Sequence, residues 1–101
     1  MKIQTWSEKQ EPTEEVIRNM MKAEGLRPYI WSNDPGDVYA SHSHSYHKVI
    51  YVIYGSIAFE IPNEGQQATL HVGDRLDLPP GMIHSAVVGP KGVVCVEAHQ
   101  R

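Results

Sequence analysis

At 101 residues the chain has room for one small domain and not for two. Its composition, 41% hydrophobic and 21% charged, is that of a globular protein and excludes a disordered one. A net charge of −3 leaves no basic surplus for a nucleic acid or an anionic membrane, and the single cysteine, Cys95, cannot form an internal disulfide.

The first residues, Met1 to Pro12, are polar and carry no apolar leader, and no stretch reaches the roughly 20 apolar residues of a membrane span. A cytoplasmic protein is expected. A helix is predicted from Thr13, with Glu14 and Glu15 in its first turn, Val16, Ile17, Met20 and Met21 as an apolar stripe, and Gly25 as its C-terminal cap. Leu26 to Trp31 reads as a strand. Residues 1–33 are thus expected to pack on a barrel formed by residues 34–101.

Beyond Asn33 the pattern is strand and turn. Apolar runs at 49–54, 57–61, 68–72 and 93–96 alternate with Gly and Pro punctuation at Gly36, Gly55, Gly65, Gly73, Pro79–Gly81 and Gly89–Gly92. Short strands at regular spacing predict a sandwich or barrel. Val49 to Tyr54 is apolar at every position, so both faces should be covered, one by the barrel interior and the other by the helix or a second subunit. That strand and the small size of the chain predict a homodimer.

Six histidines are unusual in a chain of this length, and three fall within His42–His47. His42 and His44, two apart on a predicted strand, would share a face with Cα atoms about 6.6–6.8 Å apart, within reach of one ion. His84 follows the stiff Pro79-Pro80-Gly81 turn and offers a third nitrogen if the fold brings its strand alongside. A lone H-x-H pair is often just a solvated strand edge, and His71 and His99 carry no such pattern.

The wider spacing adds to this. Gly36-x5-His42-x-His44-x3-Lys48-x6-Gly55, followed by Gly73-x5-Pro79-Pro80-Gly81-x2-His84, resembles the two motifs of the cupins. The resemblance implies a mainly β fold, a cupin double-stranded β-helix (jelly-roll) barrel with one short N-terminal α-helix. It also implies a metal site at His42, His44 and His84. Metal-binding cupins usually add a glutamate where this chain has Lys48, and Val88 replaces an asparagine that often closes the second motif. Lysine is a poor ligand while protonated, so the expected site has three histidines, with His47 a further candidate ligand and Lys48 turned aside or paired with a carboxylate. Lys48→Glu is expected to tighten metal binding by restoring the usual set.

Three neutral ligands would leave one divalent transition metal (Zn, Fe, Ni or Mn) with its charge uncompensated and positions open, which favours a small anionic or chelating ligand. Two functions follow: a metal-dependent enzyme, of dioxygenase or isomerase type, acting on a small polar metabolite, or a non-catalytic sensor or storage module. No general base is evident. Asp77, Glu60 and Glu97 read as exposed strand carboxylates; Tyr46, Tyr51 and Tyr54 as packing residues near the site; and Cys95 as a small buried hydrophobe.

Overall fold

A computed structural model describes residues 1–100. Strand β1 (Lys2–Gln4) leads to helix α1 (Glu14–Ala23) and strand β2 (Tyr29–Asn33). Then come β3 (Val38–His42), β4 (His47–Ile61), β5 (Gln66–Leu70), β6 (Arg75–Leu78) and β7 (His84–Gln100). All pairing is antiparallel, in the order β1-β6-β4-β7-β2, with β3 added to β7 and β5 to β4. Strands β1 and β2, from the N-terminal third, hydrogen-bond into the same sheet. Among the described residues, no helix is long and apolar enough to cross a membrane.

Helix α1 starts where the sequence predicts, with the Thr13 hydroxyl accepting the Val16 N–H at 3.2 Å. It ends at Ala23, and Gly25 follows at φ 82, a left-handed conformation that closes the last turn at least cost without a Cβ. Its buried Ile17 and Met21 pack on Val49, Tyr51, Val96 and Ala98. The apolar outer face of β4 that motivates a homodimer is therefore covered by the chain's own helix.

Two predicted turns are bends inside long strands. Gly55 lies within β4, at φ 74, and Gly89–Gly92 lies within β7. The β4–β7 register shifts between Val52 and Tyr54 and again between Gly55 and Ile57. The physical consequence is a change of side-chain parity. Inward residues of β4 are Ile50 and Val52 before the bulge, and Ile57, Phe59 and Ile61 after it. On β7 they are Ala86 and Val88 before the bend, and Val93 and Cys95 after it. Each long strand thus serves both walls of the barrel, and the central core fills the space between them. Cys95 is fully buried there, and burial pushes its thiol pKa up, as suits a packing residue.

Outside the barrel, His47 and Asp77 face away from the core. Asp77 is not the solvated carboxylate expected: it accepts from His47 Nε2 at 2.8 Å and Arg75 Nε at 2.8 Å, and Arg75 also holds Glu24 at 2.6 Å. Burial alone would raise the Asp77 pKa, but these hydrogen bonds outweigh it and hold the pKa below the usual range. A depressed carboxylate pKa stabilises the fold above the unfolded value, about pH 4, and that contribution is lost as pH falls through the folded value. Asp77→Asn should therefore cost about 1–3 kcal/mol at neutral pH. In urea titrations the deficit should narrow below pH 4; a deficit unchanged across this range would exclude the ionic contribution.

Candidate metal centre and barrel cavity

The register explains how residues 42 positions apart meet. His42, the last residue of β3, lies directly opposite His84, the first of β7. His44 lies just past the end of β3, in the link to β4, and not on the strand as expected. The backbone turns there and Gly81 N–H donates to the His44 carbonyl at 2.8 Å, tying this link to the Pro79–Gly81 turn. The ring centroids of His42, His44 and His84 are 4.4–5.2 Å apart, and one ligand atom from each lies within 4.8 Å of the others.

Their hydrogen bonds fix which nitrogens are available. His42 Nδ1 contacts the Ala40 carbonyl at 2.7 Å, and His84 Nδ1 contacts the Met82 carbonyl at 3.0 Å. A carbonyl only accepts, so each Nδ1 carries a proton, and Nε2 is the nitrogen that holds the lone pair in the neutral ring. Burial, reinforced by Lys48 and the neighbouring histidines, pushes the His44 pKa down to about 4. Burial also lowers that of His84, against the opposing bond to Met82. Neutral imidazoles with oriented lone pairs are the ligating form. Three nitrogens bound to one ion at about 2.1 Å lie roughly 3.0–3.6 Å apart, so the donor set fits a divalent transition metal once the rings close by about 1–2 Å.

His47 is not part of this group. It precedes Lys48 by one residue on β4 and so projects to the opposite face, where Asp77 holds it. Lys48 projects inward, and its Nζ lies 2.8 Å from Glu97 Oε1. Glu97 corrects the sequence reading most sharply: its side chain is 0% exposed. After the β7 bend it shares the inward parity of Val93 and Cys95. Oε1 also accepts from the Tyr29 hydroxyl at 3.1 Å, whereas Oε2 is buried with no hydrogen-bond partner. Burial raises the Glu97 pKa, against the opposing pull of Lys48 and Tyr29. His99 stacks on Tyr46 at 3.9 Å, and its Nε2 lies 2.9 Å from the Tyr29 oxygen.

These groups surround a cavity of about 260 Å³ inside the barrel. His42 and His84 line it together with Lys48 and Glu97, and Ile50, Ile57, Phe59 and Ala86 form apolar wall. Tyr29, Trp31 and Tyr39 complete it. Trp31 and Tyr39 meet edge to face at 6.0 Å, and the Tyr39 hydroxyl is held by Asn33 Oδ1. Tyr46, Tyr51 and Tyr54, read from the sequence as packing residues near the site, do not line the cavity. Tyr46 does reach the histidines, with its ring 4.9 Å from that of His44. Tyr51 lies on the outer face beneath Arg75, and Tyr54 is exposed. The strand alternation of Tyr29 with Trp31 was the available signal for the true lining residues.

The Cupin domain profile matches residues 29–97, and the chain belongs to the cupin family. Similar solved structures include KdgF from Halomonas sp., 31% identical, with a TM-score of 0.60 over 75% of this chain and 70% of that one. An RmlC-like cupin from Shewanella frigidimarina NCIMB 400 is 27% identical, with a TM-score of 0.63 over 73% and 64% of the two chains. The DMSP lyase DddQ from Ruegeria pomeroyi DSS-3 is 18% identical, with a TM-score of 0.67 over 75% of this chain and 38% of that one. At that identity the likeness to the lyase is one of fold. The chain spans less than two thirds of the Shewanella and Ruegeria proteins. No curated protein matches the chain.

Proposed function

We propose that this cupin is a metal-dependent enzyme in which His42, His44 and His84 hold one divalent transition metal and a small anionic metabolite binds in the adjoining cavity. The observation that carries this reading is the convergence of three imidazoles at a cavity that His42 and His84 line. When bound, the metal supplies Lewis-acid polarisation of a ligand oxygen. The protein's own residues do the rest. Three neutral imidazole ligands would leave the ion's positive charge uncompensated, which would favour anionic oxygen donors. The aromatic and aliphatic walls exclude water around the ligand's apolar part and strengthen every polar contact inside. Lys48 and Glu97 pair on the cavity wall and cancel each other's charge, so the preference for anions rests on the ion itself. The fold itself hosts many activities, so the proposal rests on the site.

The test is whether the metal has open positions. Cobalt-substituted protein titrated with oxalate should change its visible absorption spectrum, with saturation at one oxalate per metal. A spectrum indifferent to oxalate would mean a closed coordination shell and overturn the enzymatic reading.

A further inference from the structure

A row of inward-facing residues crosses three strands: Tyr39 on β3 lies opposite Ala86 on β7, and Ala86 lies opposite Phe59 on β4. All three line the cavity. Paired antiparallel residues have Cα atoms about 4.5–5.5 Å apart, so Tyr39 and Phe59 spring from points about 9–11 Å apart, with only a methyl group between them. A ring seated between two others at contact distance needs about 7–8 Å. The row is thus a slot, with aromatic sides and the Ala86 methyl as its floor.

The slot adjoins the three histidines. Ala86 is two residues from His84 on the same face of β7, and the rings of Phe59 and His84 are 6.2 Å apart. Tyr39 reaches this face through the β3 register shift: it and His42, three apart in sequence, oppose Ala86 and His84, two apart. Its ring is held from outside the slot, edge to face with Trp31 at 6.0 Å and through its hydroxyl, which donates to Asn33 Oδ1. The polar groups of the wall are engaged with one another, Lys48 with Glu97 and the Tyr29 hydroxyl with Glu97. A ligand body therefore gains most from the rings.

We infer that this slot takes a planar ring, so that the cavity selects small carboxylates bearing an aromatic or conjugated ring over saturated analogues of the same size. This rests on the proposed metal centre, which would take the oxygen donors of the head. The volume permits it: the cavity measures about 260 Å³, and an apolar cavity of about 150 Å³ already holds benzene. Stacked or edge-on ring contacts add to the effect of area burial, whereas a puckered ring is thicker and meets the sides less closely.

The probes are 2-hydroxy-2-phenylacetate and 2-cyclohexyl-2-hydroxyacetate, which share a chelating head and a carbon count and differ in whether the ring is planar. Each is titrated calorimetrically into metal-loaded protein whose metal content has been measured. The phenyl acid should bind about five-fold or more tightly, as expected for ring contacts on two sides, although the saturated ring is the more apolar. Ala86→Val raises the floor of the slot and should abolish the difference while metal content stays at the wild-type value. Should that variant fail to fold, Phe59→Leu removes one side and should reduce the difference to about two-fold or less. Equal affinities, tighter binding of the cyclohexyl acid, no binding of either acid, or a preference retained in a folded variant would overturn the inference and leave the metal centre standing. Wild-type protein that takes up no metal would overturn both.

Discussion

Lys48→Met should destabilise the protein by about 3–5 kcal/mol at neutral pH, because it leaves Glu97 buried without its cation. The pH dependence identifies the cause. Burial already raises the Glu97 pKa, and losing Lys48 raises it further. Below the unfolded value, about pH 4.3, both states hold the proton and the variant carries no ionisation penalty. As pH rises, the unfolded chain releases its proton before the folded one does, and stability is lost until the folded pKa is passed. The gap between variant and wild type in urea unfolding should therefore be small near pH 4 and widen towards neutrality. A gap that is flat with pH would mean that Lys48 contributes packing alone. The same geometry reverses the expectation for Lys48→Glu. In place of completing a ligand set, that substitution sets two carboxylates side by side in the barrel wall, and loss of stability at neutral pH should precede any gain in metal affinity.

Gly55→Ala is the second large effect. A Cβ at this position would lie 1.9 Å from the Gly92 carbonyl oxygen and 2.8 Å from its carbon, both backbone atoms that cannot swing aside. The position also has φ 74, in the left-handed region that costs any other residue. Overlap and strain together should cost about 2–5 kcal/mol. Because the β4 bulge sets the parity that aims Ile57 and Phe59 inward, the cavity should suffer with the fold. Gly65→Ala is the control: its φ is 62, yet an added Cβ there meets nothing within 4 Å. A Gly55→Ala loss no larger than that of Gly65→Ala would show that the Gly55–Gly92 approach is not tight in solution.

These residues also show what could and could not be seen in the chain. His42, His44 and His84 were legible because fixed spacing and flanking turn residues mark them, and the helix was legible from its cap and apolar stripe. His47 was excluded only by strand parity, since it sits one residue before inward-facing Lys48. Glu97 was hidden for a related reason. Counted continuously from His84, the even positions of β7 face inward, and residue 97 falls on the outside. The Gly89–Gly92 bend resets that count, so a charged residue enters the core beside Cys95. Gly55 and Gly92 announce turns in sequence, whereas in the fold two long strands pass each other there with register shifts. Local patterns cannot tell a turn from a bulge when the difference lies in which distant strand is paired. The same limit concealed Tyr29, Trp31 and Tyr39, whose role depends on β2 and β3 both pairing with β7.

On the proposed function, the three histidines that the β3–β7 register and the following link bring together form a live metal centre. Metal content by inductively coupled plasma mass spectrometry, on untagged protein and on His42→Ala/His44→Ala, tests it most directly. Near one equivalent of a divalent transition metal in the wild type, lost in the folded variant, is the predicted result. No metal in the wild type after reconstitution with Zn, Fe, Ni and Mn, or equal metal in both proteins, would contradict it.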